Sequence, residues 1–237
     1  MINFKHDDED EAWRDYREKF SELYDEANYG TSLQSLVMRA SHKLVEKDFD
    51  AQKRFGQVLE IGAGTGEHLS FVRHKFERYT LTDHDETVLD IAKSKLSNFS
   101  KEGIIFEVQK GSQLSYSDNS FDRVIATHVL EHIREPHLAL KEWSRVVRHR
   151  GTLSILIPTD PGMAWRLGRR FGPRKKALAK GFAYDYIMAR EHVNSCNNLI
   201  AILRHYFPDS QERWWPWSVP SIDLNLFFVF HTTLNKI

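Results

Sequence analysis

The chain has 237 residues, 41% of them hydrophobic, which suffices for one sizeable core with a modest appendage. Its 33 basic and 33 acidic residues cancel, so no net field draws in nucleic acid, and the single Cys196 excludes both an internal disulfide and a cysteine-ligated zinc site. No apolar run approaches the ~20 residues of a membrane span, and the acidic start (Asp7, Asp8, Glu9, Asp10, Glu11) lacks the basic-then-apolar order of a signal peptide, so a cytoplasmic protein is expected.

Residues 1–49 read as a helical lead-in. Trp13, Tyr16 and Phe20 recur on one helical face, and from Ser21 to Phe49 a second helical stretch carries Leu33, Leu36, Val37, Ala40, Leu44 and Val45. Between them, Tyr24 to Gly30 is polar, aromatic and glycine-terminated, and reads as a loop. Packing on a sheet and folding over a ligand are both open to this lead-in.

Val58-Leu59-Glu60-Ile61-Gly62-Ala63-Gly64-Thr65-Gly66-Glu67-His68-Leu69 is the stretch around which the rest is ordered. A buried strand ends in an acid, glycines follow at alternate positions, and Leu69, Phe71, Val72 and Phe76 predict a helix. Glycines there let a ligand lie against bare backbone. A dinucleotide fingerprint would put its third glycine where Glu67 stands, and a carboxylate at that point repels a pyrophosphate.

Strands and helices then alternate. Arg78–Asp83 predicts a second strand ending in an acid, Glu86–Leu96 a helix, Ile104–Val108 a third strand and Phe121–Thr127 a fourth. A helix from Pro136 to about Arg148, stopped by Gly151, precedes a fifth strand over Thr152–Ile157. Such alternation predicts βαβ crossovers and a doubly wound, mostly parallel sheet. Residues 159–188 break the rhythm with glycines, prolines and a basic run (Arg166, Arg169, Arg170, Arg174, Lys175, Lys176, Lys180) that contains no acid between Asp160 and Asp185. Following a strand's carboxyl end, the insertion is expected to cap the ligand crevice. A solvated basic face is the plainer alternative. Residues 189–207 read as a helix, and Trp214–Trp217 and Asp223–Phe230 as two closing strands.

Strand ends are where ligands bind in open α/β sheets, which singles out Glu60 and Asp83. Asp83 follows the glycines at about the spacing from which an acid reaches two ribose hydroxyls. Taken with Leu114–Ile125, Val129-Leu130-Glu131-His132-Ile133 and Leu140–Leu153, the glycine turn resembles the class I S-adenosylmethionine-dependent methyltransferases, in the small-molecule branch that includes the quinone methyltransferases. The resemblance covers roughly residues 50–158. It implies a seven-stranded Rossmann-like methyltransferase fold over 50–237, with S-adenosyl-L-methionine as cofactor, S-adenosyl-L-homocysteine as product and a small-molecule acceptor. It places Glu60, Gly62, Ala63, Gly64 and Gly66 at the methionine end, Asp83 at the ribose, and His84, Ser112, Gln113 and Leu114 around the adenine. Where many relatives carry an acid for the adenine amino group, this chain has Lys110-Gly111-Ser112-Gln113. Thr127 and His128 would face the sulfonium and the acceptor. His128 is the first candidate for a base, since imidazole titrates near neutrality; His132, Asp160, Tyr24 and Tyr29 come behind it. The basic cap suits a phosphate- or carboxylate-bearing acceptor, while the acceptor atom and the oligomeric state stay open.

Three other readings compete. His128-Val129-Leu130-Glu131-His132 spells H-x-x-E-H, a zinc-protease signature, but His128 closes a strand instead of lying on a helix with His132, so no metal ligand is expected. A nicotinamide oxidoreductase is disfavoured by Glu67. A partner protein that binds the cofactor without turnover is the third, because methyl transfer has no obligatory catalytic residue.

Overall fold

The computed structural model describes residues 12–14, 16, 33–97 and 102–236. Tyr24, Tyr29 and the loop expected around them lie outside the described residues. Seven strands form one sheet: β1 (Arg54–Ile61), β2 (Lys75–Asp83), β3 (Ile104–Val108), β4 (Phe121–Thr127), β5 (Val147–Pro158), β6 (Ser210–Trp215) and β7 (Phe227–Thr233). Their order is β3-β2-β1-β4-β5-β7-β6. The first five run parallel, and β7 lies antiparallel between β5 and β6. The order reverses between β1 and β4, and ligand crevices open at such reversals, outside the carboxyl ends of the strands.

Side chains alternating along the strands make two cores. Leu59, Ile61, Val124, Ala126, Ile155 and Phe228 meet Leu140 and Trp143 of α3 (Pro136–Val146) and Leu199 and Leu203 of α7 (Cys196–Tyr206). On the other face Val58, Leu81, Ile125, Leu156 and Val229 meet Met38 and Val45 of α1 (Leu33–Val45). The second crossover helix, α2 (Glu86–Leu96), is capped by Asp85, whose carboxylate accepts from the Thr87 and Val88 amides. Among the described residues no helix is long and apolar enough to cross a membrane.

Several predicted elements differ. The helix expected after the glycine turn is a single 3₁₀ turn over Glu67–Phe71. β2 begins early, because Lys75–Arg78 pair with Arg54–Gln57, and Phe76 joins that strand instead of a helix. The helix after Pro136 ends at Val146, short of Gly151, since Val147 already pairs with Phe121 in the sheet. The helix predicted over 189–207 is two: α6 (Tyr184–Glu191) and α7, separated around His192–Ser195. The insertion itself is helical, with α4 (Met163–Phe171) and α5 (Pro173–Ala179) ahead of α6.

The largest departure is the buried face of α1. Leu36 is 60% exposed, whereas Ser35, Met38, Ser41, His42, Val45 and the following Glu46 are buried. Of these, Glu46 faces inward to meet Arg123, a fully buried arginine in the central strand β4, while Ser41 reaches His128 and His42 reaches His68. Arg123 Nη1 donates to Glu46 Oε2 at 3.0 Å, and Nη2 lies 2.8 Å from Oε1. Arg123 Nε donates to Ser154 Oγ at 3.2 Å, and its guanidinium stacks 3.8 Å from the centre of the Phe49 ring. The arginine holds the Glu46 carboxyl far below the usual carboxylate range in spite of its burial.

Two buried histidines beside this pair make the fold acid-sensitive. Burial and the nearby Arg123 charge push His74 down to about 4 and His231 to about 3. An unfolded histidine takes up its proton near pH 6.5. Below that the unfolded chain binds protons that the native one refuses, so stability falls with falling pH. The expected loss is about 2–3 kcal/mol per pH unit between about pH 6 and about pH 4, from roughly 1.4 kcal/mol per proton per unit. Urea unfolding at pH 7, 6 and 5 checks it; a midpoint that stays level would contradict this assignment.

Candidate functional site

At the β1–β4 reversal, a cleft is lined by His42, Glu60, Gly62, Ala63, Gly64, Thr65, Glu67, His68, Thr127 and His128. The three turn glycines have φ of +64°, +54° and +78°, but they do different work. A Cβ on Gly62 would fall 2.4 Å from Val129, and one on Gly66 would fall 2.7 Å from Leu96, so both serve backbone packing. A Cβ on Gly64 would meet nothing within 4 Å. Its bare backbone faces open space.

Glu60 is buried at the floor. Tyr79 donates to its Oε2 at 2.7 Å, while Oε1 finds no hydrogen-bond partner among the described residues. Burial pushes this carboxyl up, and it offers an acceptor suited to a cationic group. Asp83, at the end of β2, accepts from the Gly64 amide at 3.0 Å and from the Asp85 amide at 3.1 Å. Burial pushes Asp83 up, but His84 and these two amides outweigh it and hold the carboxyl low. His84 places Nδ1 3.0 Å from Asp83 Oδ1, with its side chain 80% exposed. Glu67 lies 3.9 Å from Arg39 and 4.0 Å from Lys95, which partly offset its charge.

Of the residues expected around an adenine, Ser112 and Gln113 are exposed in the loop after β3. Leu114 is buried in the core, where its amide donates to Glu142. None of these three lines the cavity.

His128 follows β4 with φ of +59°, a conformation that costs a non-glycine residue energy and concentrates at functional sites. Its amide continues the sheet by donating to the Leu156 carbonyl. Its Nε2 lies 3.2 Å from Ser41 Oγ, and its ring stands edge-on to His42 at 6.0 Å. From His42 a buried chain leads inward: Nδ1 lies 3.1 Å from His68 Nδ1, and His68 Nε2 lies 3.1 Å from Glu46 Oε1. Sequence reasoning missed His42, Glu46, His68 and Arg123. The i, i+4 placement of His42 and Glu46 was the sole hint, and nothing in the chain ties either to residue 123.

His132 and Asp160 sit on the other side of His128. His132 Nδ1 donates to the Glu191 carbonyl at 2.9 Å, and Asp160 accepts from Arg169 at 2.8 Å and pairs with His192 at 2.9 Å. Burial pushes Asp160 up, but His192 and Arg169 outweigh it and hold it low, which makes it a weak base. The two acids bracketing the basic insertion answer part of its charge: Asp160 takes Arg169, and Asp185 takes Arg174 through both oxygens.

A family described as "Methyltransferase domain" matches residues 59–155. The ubiquinone/menaquinone biosynthesis C-methyltransferase of Desulfotalea psychrophila is 29% identical over 108 residues, which are 45% of this chain and 43% of that one. The chain thus aligns with less than half the length of that curated relative. A SAM-dependent methyltransferase of Thermotoga maritima superposes with a TM-score of 0.60 at 21% identity, covering 93% of this chain and 99% of that one. Haemonchus contortus phosphoethanolamine N-methyltransferase 2, solved with S-adenosyl-L-methionine, superposes with a TM-score of 0.63 at 14% identity, covering 94% of this chain and 60% of that one.

Proposed function

We propose, from the premise that this chain is a class I S-adenosylmethionine-dependent methyltransferase, that it methylates a small molecule admitted between His128 and the helical insertion. The observation that carries the reading is the pairing, in one crevice, of an open Gly64 backbone with the buried acid Glu60, while the Gly64 amide is held by the buried Asp83 carboxylate at the end of β2. These residues fit the cofactor. Oε1 of Glu60 suits its ammonium group, and the bare backbone around Gly64 suits its uncharged linker. Asp83 suits the ribose: a carboxylate has about four acceptor sites, three of which are occupied by Gly64, Asp85 and His84. A diol needs two, so exposed His84 would yield its place and be free to pack on the adenine.

Bound there, the sulfonium supplies an electrophilic methyl group. The chain's part is to hold the acceptor in line with it, and positioning of this kind carries much of such an acceleration. Thr127 and His128 border the acceptor side, and His128 would take a proton from an acceptor that must lose one. The cations of the insertion support a phosphate- or carboxylate-bearing acceptor, with Arg166, Arg170, Lys175 and Lys176 as its candidates. The names of the relatives, a quinone and a phosphoethanolamine methyltransferase, accord with a small acceptor.

Calorimetry with S-adenosylhomocysteine against a pyridine dinucleotide tests the premise. Tight binding of the first alone is expected; the reverse would overturn it. Conversion of S-adenosylmethionine to S-adenosylhomocysteine with candidate acceptors separates an enzyme from a binding partner. His128→Ala is expected to lower kcat by about a hundredfold or more while S-adenosylhomocysteine affinity stays within a few-fold. Unaltered turnover would remove His128 from the proton transfer.

A further inference from the structure

The H-x-x-E-H string does not assemble as its spacing suggests. His128 turns towards Ser41, and Glu131 and His132 occupy a 3₁₀ turn over Leu130–His132. In place of His128, the chain brings in His192 from the end of α6. One donor atom each from Glu131, His132 and His192 lies within 4.8 Å of the other two.

We propose that Glu131, His132 and His192 bind a divalent first-row transition-metal ion beside the His128 end of the cavity. The donor set is two imidazoles and one carboxylate, which favours such ions over magnesium or calcium and leaves coordination positions open. Both histidines are already oriented for it. His132 Nδ1 donates to the Glu191 carbonyl at 2.9 Å and lies 3.1 Å from its carboxylate, and His192 Nδ1 lies 2.9 Å from Asp160 Oδ2. Each Nδ1 is thus held by an oxygen acceptor, leaving Nε2 as the ligating nitrogen, the arrangement that supports metal-bound histidines. A second, independent observation points to a ligand. Glu131 is 2% exposed, and its Oε2 has no hydrogen-bond partner among the described residues. A buried carboxylate oxygen left in that state is costly unless something positive reaches it.

The scaffold is tied together. Asn194 donates through its side chain to the Ile133 carbonyl at 2.6 Å and through its amide to the Glu131 carbonyl at 3.1 Å. The Cys196 amide donates to the Asp160 carbonyl at 2.7 Å. His132 Nε2 and Glu131 Oε1 are 3.9 Å apart. Bonds of about 2.0–2.2 Å to each donor need the cluster to contract by about an ångström.

Glu131 Oε1 also lies 3.7 Å from His128 Nδ1, so the ion would border the acceptor space. There its open positions would hold acceptor oxygens; this last step rests on the methyltransferase reading, whereas metal binding does not.

The test is titration of the chelator-stripped full chain with Co²⁺ in the absence of nucleoside, followed by visible d–d absorption. One Co²⁺ per chain, displaced by Zn²⁺, is expected. His192→Ala and Glu131→Gln should each weaken Co²⁺ binding more than tenfold while leaving S-adenosylhomocysteine binding intact, which reports that the variants fold. Asp160→Asn keeps all three donors and should weaken it by about 10–100-fold. No d–d absorption, or a Co²⁺ affinity that all three variants share with the parent, would overturn the proposal. Loss of nucleoside binding in the parent would instead count against the methyltransferase reading.

Discussion

Glu46→Ala is expected to lower the unfolding free energy by about 3–5 kcal/mol, because it strands a fully buried guanidinium in the central strand. A guanidinium, unlike an ammonium, has no ready way to neutralise itself by losing a proton. Among the described residues its other side-chain hydrogen bond goes to Ser154 Oγ, and Phe49 covers its face. The same change removes the partner of His68 Nε2, and so loosens one wall of the cavity. Replacing both members, Glu46→Met with Arg123→Met, is expected to restore most of the loss, since apolar groups of similar volume often substitute for a buried pair without cost. Urea unfolding of the three proteins checks this. A single variant as stable as the parent, or a double variant no better than the single, would mean that the pair does not anchor α1.

Asp83→Ala is expected to weaken S-adenosylhomocysteine binding by about a hundredfold or more. A hydrogen bond to a charged group contributes about 1.5–3 kcal/mol, and two ribose hydroxyls lose their acceptor at once. Asp83 also fixes the Gly64 amide, so the open strip of backbone loses its register with the second strand. Asp83→Asn, which keeps one acceptor oxygen, should fall between. Calorimetry reads all three; an unchanged Asp83→Ala affinity would separate this carboxylate from the nucleoside.

The alternation of strands and helices, the glycine turn and the two acids at strand ends were legible because they follow from local chemistry. Apolar runs of strand length alternate with helical periods, positive φ calls for glycine, and an acid at a strand's carboxyl end faces the crevice. The chain by itself thus determined the mostly parallel sheet, and it singled out Glu60, Gly64, Thr127 and His128, which the fold brings to one cleft, and Asp83, which holds the Gly64 amide beside it. Periodicity failed where polar groups are buried in pairs. It counted Leu36 in the apolar face and left His42 and Glu46 unremarked, because it cannot see that Arg123, 77 positions from Glu46, lies in the sheet. It gave H-x-x-E-H no metal-binding role, because the residue whose donor atom comes near those of Glu131 and His132 is His192, delivered by the turn after α6. Only the tertiary structure decided these: a buried charge and a set of donor atoms exist only when distant segments meet, and neighbours along the chain carry no record of which partner will arrive.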